Sequence, residues 1–153
     1  MLEIILLVIG SVRDRRYQEL IKDYRKRLKP YLRLTEIELK ALSFTTATKS
    51  RARDYESERI RESLRKYEDS HLIYLLAERG QQFDSVALAR HLRDQQPLVL
   101  VIGGSLGFSE SLIKQYPAIS LSALTLPHEL ARVVLFEQLF RAACILNNKE
   151  YHH

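Results

Sequence analysis

This sequence predicts one α/β domain over residues 1–153, built on a largely parallel sheet, and three observations carry that prediction. Leu2–Ile9 (LEIILLVI), His71–Leu76 and Leu98–Ile102 are mainly apolar runs of strand length, the pattern of strands buried on both faces. Longer stretches with apolar residues at helical spacing lie between them. The two kinds alternate from end to end, which is the order of βα units. No repeat, linker or low-complexity segment divides the 153 residues, a length that buries one substantial core.

Taken in order, Leu2–Ile9 is the first strand and stops at Gly10-Ser11. Tyr17, Leu20, Ile21, Tyr24 and Leu28 then recur at helical spacing, so Arg13–Lys29 reads as an amphipathic helix ended by Pro30. Leu34, Ile37 and Leu39 mark a second strand, alternating in part with Thr35, Glu36 and Glu38. The polar, Thr-rich stretch Ala41–Lys49 has no period and is expected to be a mobile loop. Ile60, Leu64 and Tyr67 support a second helix, His71–Leu76 a third strand, and Gly80 a turn after it. Either Asp84 or Ser85 caps a helix carrying Val86, Ala89 and Leu92. Leu98–Ile102 and Ile119–Leu124 are the fourth and fifth strands, separated by a short helix that Ser109 caps. Pro127 suits the first turn of a last helix reaching Asn147, since its missing N–H costs nothing there.

Composition removes several function classes. No run approaches the roughly 18 apolar residues of a membrane span, and the first apolar run reads as a strand rather than a leader peptide. A lone thiol, Cys144, cannot close an internal disulfide and suits a reducing cytoplasm. No Cys/His or acidic cluster has the spacing of a metal site; His71 and His91 stand alone, and no Ser-His-Asp setting is recognisable. The net charge is +5. Arg13, Arg15, Arg16, Lys22, Arg25, Lys26, Arg27, Lys29 and Arg33 face only Asp14, Glu19 and Asp23, and this excess favours a phosphate-binding surface. In the second basic stretch Lys49, Arg51, Arg53, Arg59, Arg61, Arg65 and Lys66 are diluted by Asp54, Glu56, Glu58 and Glu62, which reads as a solvated face.

Chemistry concentrates in the last third. Gly103-Gly104-Ser105-Leu106-Gly107 follows a strand and precedes a helix, at the sheet end where open α/β folds bind ligands. It is neither a dinucleotide fingerprint nor a P-loop, and by itself fits a structural turn as well as a ligand loop. Ser122-Ala123-Leu124-Thr125-Leu126-Pro127 is a second such loop. Its small residues leave backbone groups free to read an adenine edge; equally, it is a strand end running into a helix cap at Thr125. In the last helix Leu130, Val133, Val134, Leu135, Phe136, Leu139, Phe140, Ile145 and Leu146 point in more directions than one sheet covers, so a second subunit is expected to cover the rest. Glu137, Arg141 and Asn148 form a narrow polar stripe on it. Tyr151-His152-His153 by itself reads as a frayed end or as the remnant of an affinity tag.

The blocks LVLVIGGSLGFS and LSALTLPHELARVVLFEQLFRAACI, with the closing Tyr151-His152, closely resemble the RlmH family of small SPOUT-class RNA methyltransferases. The likeness covers the whole chain in length and element order and is most specific over Leu100–His152. It implies a SPOUT fold with a deep C-terminal trefoil knot, a rare exception to unknotted topology, and a homodimer. It further implies methyl transfer from S-adenosylmethionine to N3 of a pseudouridine in a stem-loop of large-subunit (23S) ribosomal RNA, on assembled ribosomes. By matching position the cofactor contacts would be Leu76, Gly103, Gly104 and Gly107, then Leu121, Ser122, Ala123, Leu124, Thr125, Leu126 and Pro127. Arg141, Tyr151 and His152 would be catalytic: Arg141 stabilising charge on the uracil oxygens, Tyr151 and His152 positioning the base, and His152 taking its proton. The family tail usually reads Pro-Tyr-His; here Glu150 replaces the proline, which loosens the tail. The alternatives are a SPOUT methyltransferase acting on tRNA and a non-catalytic ribosome-binding protein of the same fold.

Overall fold

The computed structural model describes residues 1–153. Five strands, β1 (Leu2–Ile9), β2 (Leu32–Leu39), β3 (Leu72–Gln82), β4 (Leu98–Ile102) and β5 (Ala118–Ser120), form one sheet in the order β2-β1-β4-β3-β5, and every pairing is parallel. Five helices connect and cover them: α1 (Arg15–Leu28), α2 (Lys49–Leu64), α3 (Ser85–Asp94), α4 (Glu110–Gln115) and α5 (His128–Leu146).

The period-2 geometry of the central strands divides the core in two. Ile4, Leu6 and Val8 of β1 point to the face covered by α1, α5 and α3, against Ile21, Leu28, Leu88, Leu92, Phe136 and Leu139. Ile5, Leu7 and Ile9 point the other way, onto Ile60 and Leu64 of α2 and onto Phe108 and Leu112 by α4. Both faces of β1 and β4 are therefore dry, which is why their sequences are unbroken apolar runs rather than alternating ones.

Helix boundaries follow their caps. Asp14 accepts from the Arg16 amide, so α1 opens at Arg15 and Arg13 stays outside it. Of the two residues that could cap α3, Asp84 does so, accepting from the Ala87 amide at 2.7 Å. Ser109 caps α4 through the Leu112 amide.

Several expectations are corrected. Gly80 is not a turn: β3 continues through it to Gln82, and it is where β5 approaches most closely. The fifth strand ends at Ser120, not Leu124, because nothing extends the ladder beyond the pairing of Gln82 with Ser120. The 41–49 stretch holds a 3₁₀ turn at Thr46–Thr48, closed by reciprocal side-chain bonds of Thr45 and Thr48, and α2 begins at Lys49. Pro127 is the residue that caps α5 rather than its first helical residue, and Thr125 caps nothing. On the sheet α1 and α3 flank α5, while Leu130, Val134 and Ile145 remain half-buried and open to the expected second subunit.

Candidate functional site

The two loops singled out in the sequence emerge at the same end of the sheet, after β4 and after β5. In the first, Gly107 adopts φ +71°, and its amide donates to the Gly104 carbonyl at 3.1 Å. Nothing lies within 4 Å of where a side chain on Gly107 would begin, so the constraint there is the left-handed backbone. Gly103 and Gly104 are glycines for packing. A Cβ on Gly103 would meet the Phe108 ring at 3.1 Å, and one on Gly104 would meet Ile9 at 3.0 Å and Glu56 Oε1 at 3.1 Å.

The second loop is held by short local bonds: Ser120 Oγ donates to the Ser122 carbonyl at 2.8 Å, and Ser122 Oγ accepts from the Leu124 amide at 2.9 Å. The backbone amides and carbonyls of Ala123, Thr125 and Leu126 have no partner in the chain, and Leu124 is 74% exposed. Leu76 sits on β3 between Ile102 and Ile119 and, with Leu121, Leu135 and Leu139, lines a small apolar recess beside this loop. Open peptide groups next to an apolar wall fit the edge and face of an adenine, so the residues present suit a nucleoside cofactor.

The catalytic candidates meet at the far end of α5. Arg141 Nε and Nη2 donate to Glu137 Oε1 at 3.1 and 2.6 Å, and the Tyr151 hydroxyl donates to that same oxygen at 3.2 Å. His152 Nδ1 is 3.3 Å from Arg141 Nη1, and the guanidinium lies 4.9 Å from the Tyr151 ring centroid. The side chains of Arg141 and Glu137 are only 24% and 21% exposed, so this pair is better shielded than a surface i,i+4 bridge. Its hydrogen bond to Glu137 raises the Arg141 pKa, keeping the charge fixed. Burial, then the neighbouring Tyr24 and Glu137, push the Tyr151 phenol well above its ordinary range.

Asn148 does not belong to this stripe. It takes φ +52° after the last turn of α5; its amide donates to the Ile145 carbonyl and that of Lys149 to the Cys144 carbonyl. This is the Schellman closure of a helix, with asparagine in the left-handed position. It turns the chain back, so that the Tyr151 ring packs edge-on to Phe140 at 4.9 Å. The tail is thus seated even with Glu150 exposed to solvent.

Sequence reasoning missed the residues that fasten the loops. Glu56 and Ser57 of α2 are buried at 4% and 1% exposure. Glu56 Oε2 accepts from the Leu42 amide at 2.9 Å, and Ser57 Oγ accepts from the Ser109 amide at 2.8 Å. Glu129 accepts from the amides of Arg13 and Asp14, tying the start of α5 to the turn after β1. Arg132, 8% exposed, bridges the Gly10 carbonyl, Glu36 and Glu38. Of the basic residues in and around α1, Arg15, Arg16, Arg25 and Arg27 pair with carboxylates, whereas Arg13, Lys22, Lys26, Lys29 and Arg33 have no such partner.

A wholly parallel α/β sheet with two open loops at its carboxyl end and a polar cluster on the C-terminal helix defines the class. The model of a family described as "Predicted SPOUT methyltransferase" matches residues 2–152, and the chain belongs to that family. Curated relatives of the chain are named Ribosomal RNA large subunit methyltransferase H. Those from Pelobacter propionicus and Geotalea daltonii are 36% and 38% identical, each over 97% of both chains. The relative from Acetivibrio thermocellus is 30% identical over 99% of both.

Proposed function

We propose that this chain transfers a methyl group from S-adenosylmethionine to N3 of a pseudouridine in a stem-loop of 23S ribosomal RNA, acting on assembled ribosomes in the cytoplasm. The observation that carries this reading is the full-length likeness to relatives named for large-subunit ribosomal RNA methylation, beside the two open loops and the Arg141 cluster of this chain. The unpaired cations in and around α1 support a polyanionic partner.

The cofactor supplies an electrophilic methyl group, so the protein's work is orientation and charge. Leu76, Gly103, Gly104, Gly107 and Leu121–Pro127 would hold it. Arg141 stabilises negative charge on the ring oxygens as the imide nitrogen gives up its proton. Tyr151 and His152 position the base, and His152 receives that proton. Arg141 lies fourteen positions beyond Pro127, about 20 Å at the α-helical rise. That span sets a chain's own loops well apart from its own cluster. A homodimer, in which each tail serves the other subunit's cofactor, satisfies both, and the half-buried Leu130, Val134 and Ile145 offer it an apolar stripe. The family's trefoil knot belongs to the same reading.

The test is radiolabelled methyl transfer from S-adenosylmethionine to ribosomes from a strain lacking the modification, with free RNA and isolated subunits alongside. Label confined to 23S RNA in whole ribosomes is expected. Arg141→Ala should lower turnover about 100-fold or more while cofactor affinity is retained. Full activity in that variant removes Arg141 from the mechanism. Label on tRNA reassigns the substrate, and bound cofactor without transfer to any RNA makes the chain a non-catalytic binder.

A further inference from the structure

A cleft of about 800 Å³ opens at the carboxyl ends of β1, β2 and β4, and of the residues given above to the cofactor only Gly104 lines it. The chain leaves β1 toward β2 and leaves β4 toward β5, on opposite sides, so the cleft sits at the topological switch point of the sheet. That crevice is where open α/β folds place ligands.

Glu56, 4% exposed, lies in its wall. Oε2 is engaged by the Leu42 amide, but Oε1 has no donor in the chain. That oxygen reaches the cleft as a free acceptor, open to a ligand N–H. The other carboxylates of the cleft are occupied, Glu129 by the Arg13 and Asp14 amides and Glu38 by Arg132 at 3.8 Å. The cations are not: Arg13 and Lys40 line the cleft with no carboxylate partner. Phe44, 39% exposed, adds an aromatic surface.

We propose that this cleft seats the nucleotide to be methylated, turned out of its RNA strand; the proposal rests on the RNA methyltransferase reading above. Phe44 offers the base a stacking face, and Arg13 and Lys40 meet the flanking phosphates. Glu56 Oε1 accepts the N1–H of the pseudouridine, which leaves N3 to the methyl group and its proton to His152, and the hydroxyls of Ser11 and Ser43, also in the lining, add donors beside the ring carbonyls that Arg141 serves. Gly104 is the shared wall between this seat and the cofactor loop, which puts acceptor and donor of the methyl group side by side.

The experiment uses two variants of the full-length protein, one carrying Phe44→Ala with Lys40→Ala and the other Glu56→Gln. Cofactor affinity is read by calorimetry and methyl transfer by steady-state kinetics on unmodified ribosomes. A rise of about tenfold in KM for ribosomes is expected for the first variant, with cofactor affinity within twofold of the parent. Independently of activity, millimolar pseudouridine 5′-monophosphate should shift the amide resonances of Leu42, Phe44 and Gly104, and Glu56→Gln should abolish those shifts. An unchanged KM, absent shifts, or shifts confined to the α5 tail overturn the nucleotide seat. If the parent protein methylates no RNA while the shifts map to the cleft, the methyltransferase reading fails and the nucleotide seat stands.

Discussion

A methyl group added at Gly80 would stand 2.6 Å from the carbonyl carbons of Ala118 and Ile119, closer than real side chains pack against backbone. Because those atoms are main chain, only separation of β5 from β3 relieves the clash. Gly80→Ala is therefore expected to cost about 2–3 kcal/mol, a fall of roughly 5–10 °C in Tm by thermal denaturation; an unchanged Tm would show that β5 is not held there. From sequence, an isolated glycine after a strand fits a turn as well as a close approach, and only the pairing partner decides. Glu56 and Ser57 were legible in principle. They stand four and three residues before Ile60, where the apolar stripe of α2 must pass. A carboxylate there among arginines reads as solvated until the backbone it serves is known. Arg132, set within an apolar helix, carried the same kind of signal.

At the scale of elements, the tail depends on how α5 ends. Asn148 occupies the left-handed position that turns Tyr151 back onto Phe140 and Arg141. Asn148→Gly keeps that backbone, whereas Asn148→Val places a β-branched side chain in it at a cost of about 1–2 kcal/mol. The valine variant should lose methyl transfer with cofactor affinity intact, and the glycine variant should behave as the parent; equal activity in both would detach the tail from the chemistry. The order of strands and helices was readable because both faces of β1 and β4 are buried. The end of β5 was not, since Leu121 and Leu124 continue an apolar pattern into a loop that has no neighbour to pair with.

At the scale of the whole molecule, alkaline stability follows from two phenols. Burial, then the hydrogen bond to Glu68, pushes the Tyr116 pKa up to about 12, and the Tyr151 pKa is raised further. The unfolded chain releases these protons near pH 10 while the folded chain keeps them, so stability is complete below pH 10 and declines as pH rises toward 12. Urea unfolding from pH 9 to 12 should show that decline, and Tyr116→Phe should make it shallower; an identical slope in the variant would exclude Tyr116 as a cause. Strand order lay beyond sequence, because the apolar runs of β1 and β4 say that both are central and not which neighbours they take. The adjacent residues Glu56 and Ser57 have one more consequence. They fasten the 40–44 segment and the glycine loop to a single turn of α2, so two stretches outside regular secondary structure share one cooperative unit with that helix. Neither can open without unfastening a buried side chain of α2, and the free energy that keeps them closed is a property of the helix rather than of the loops.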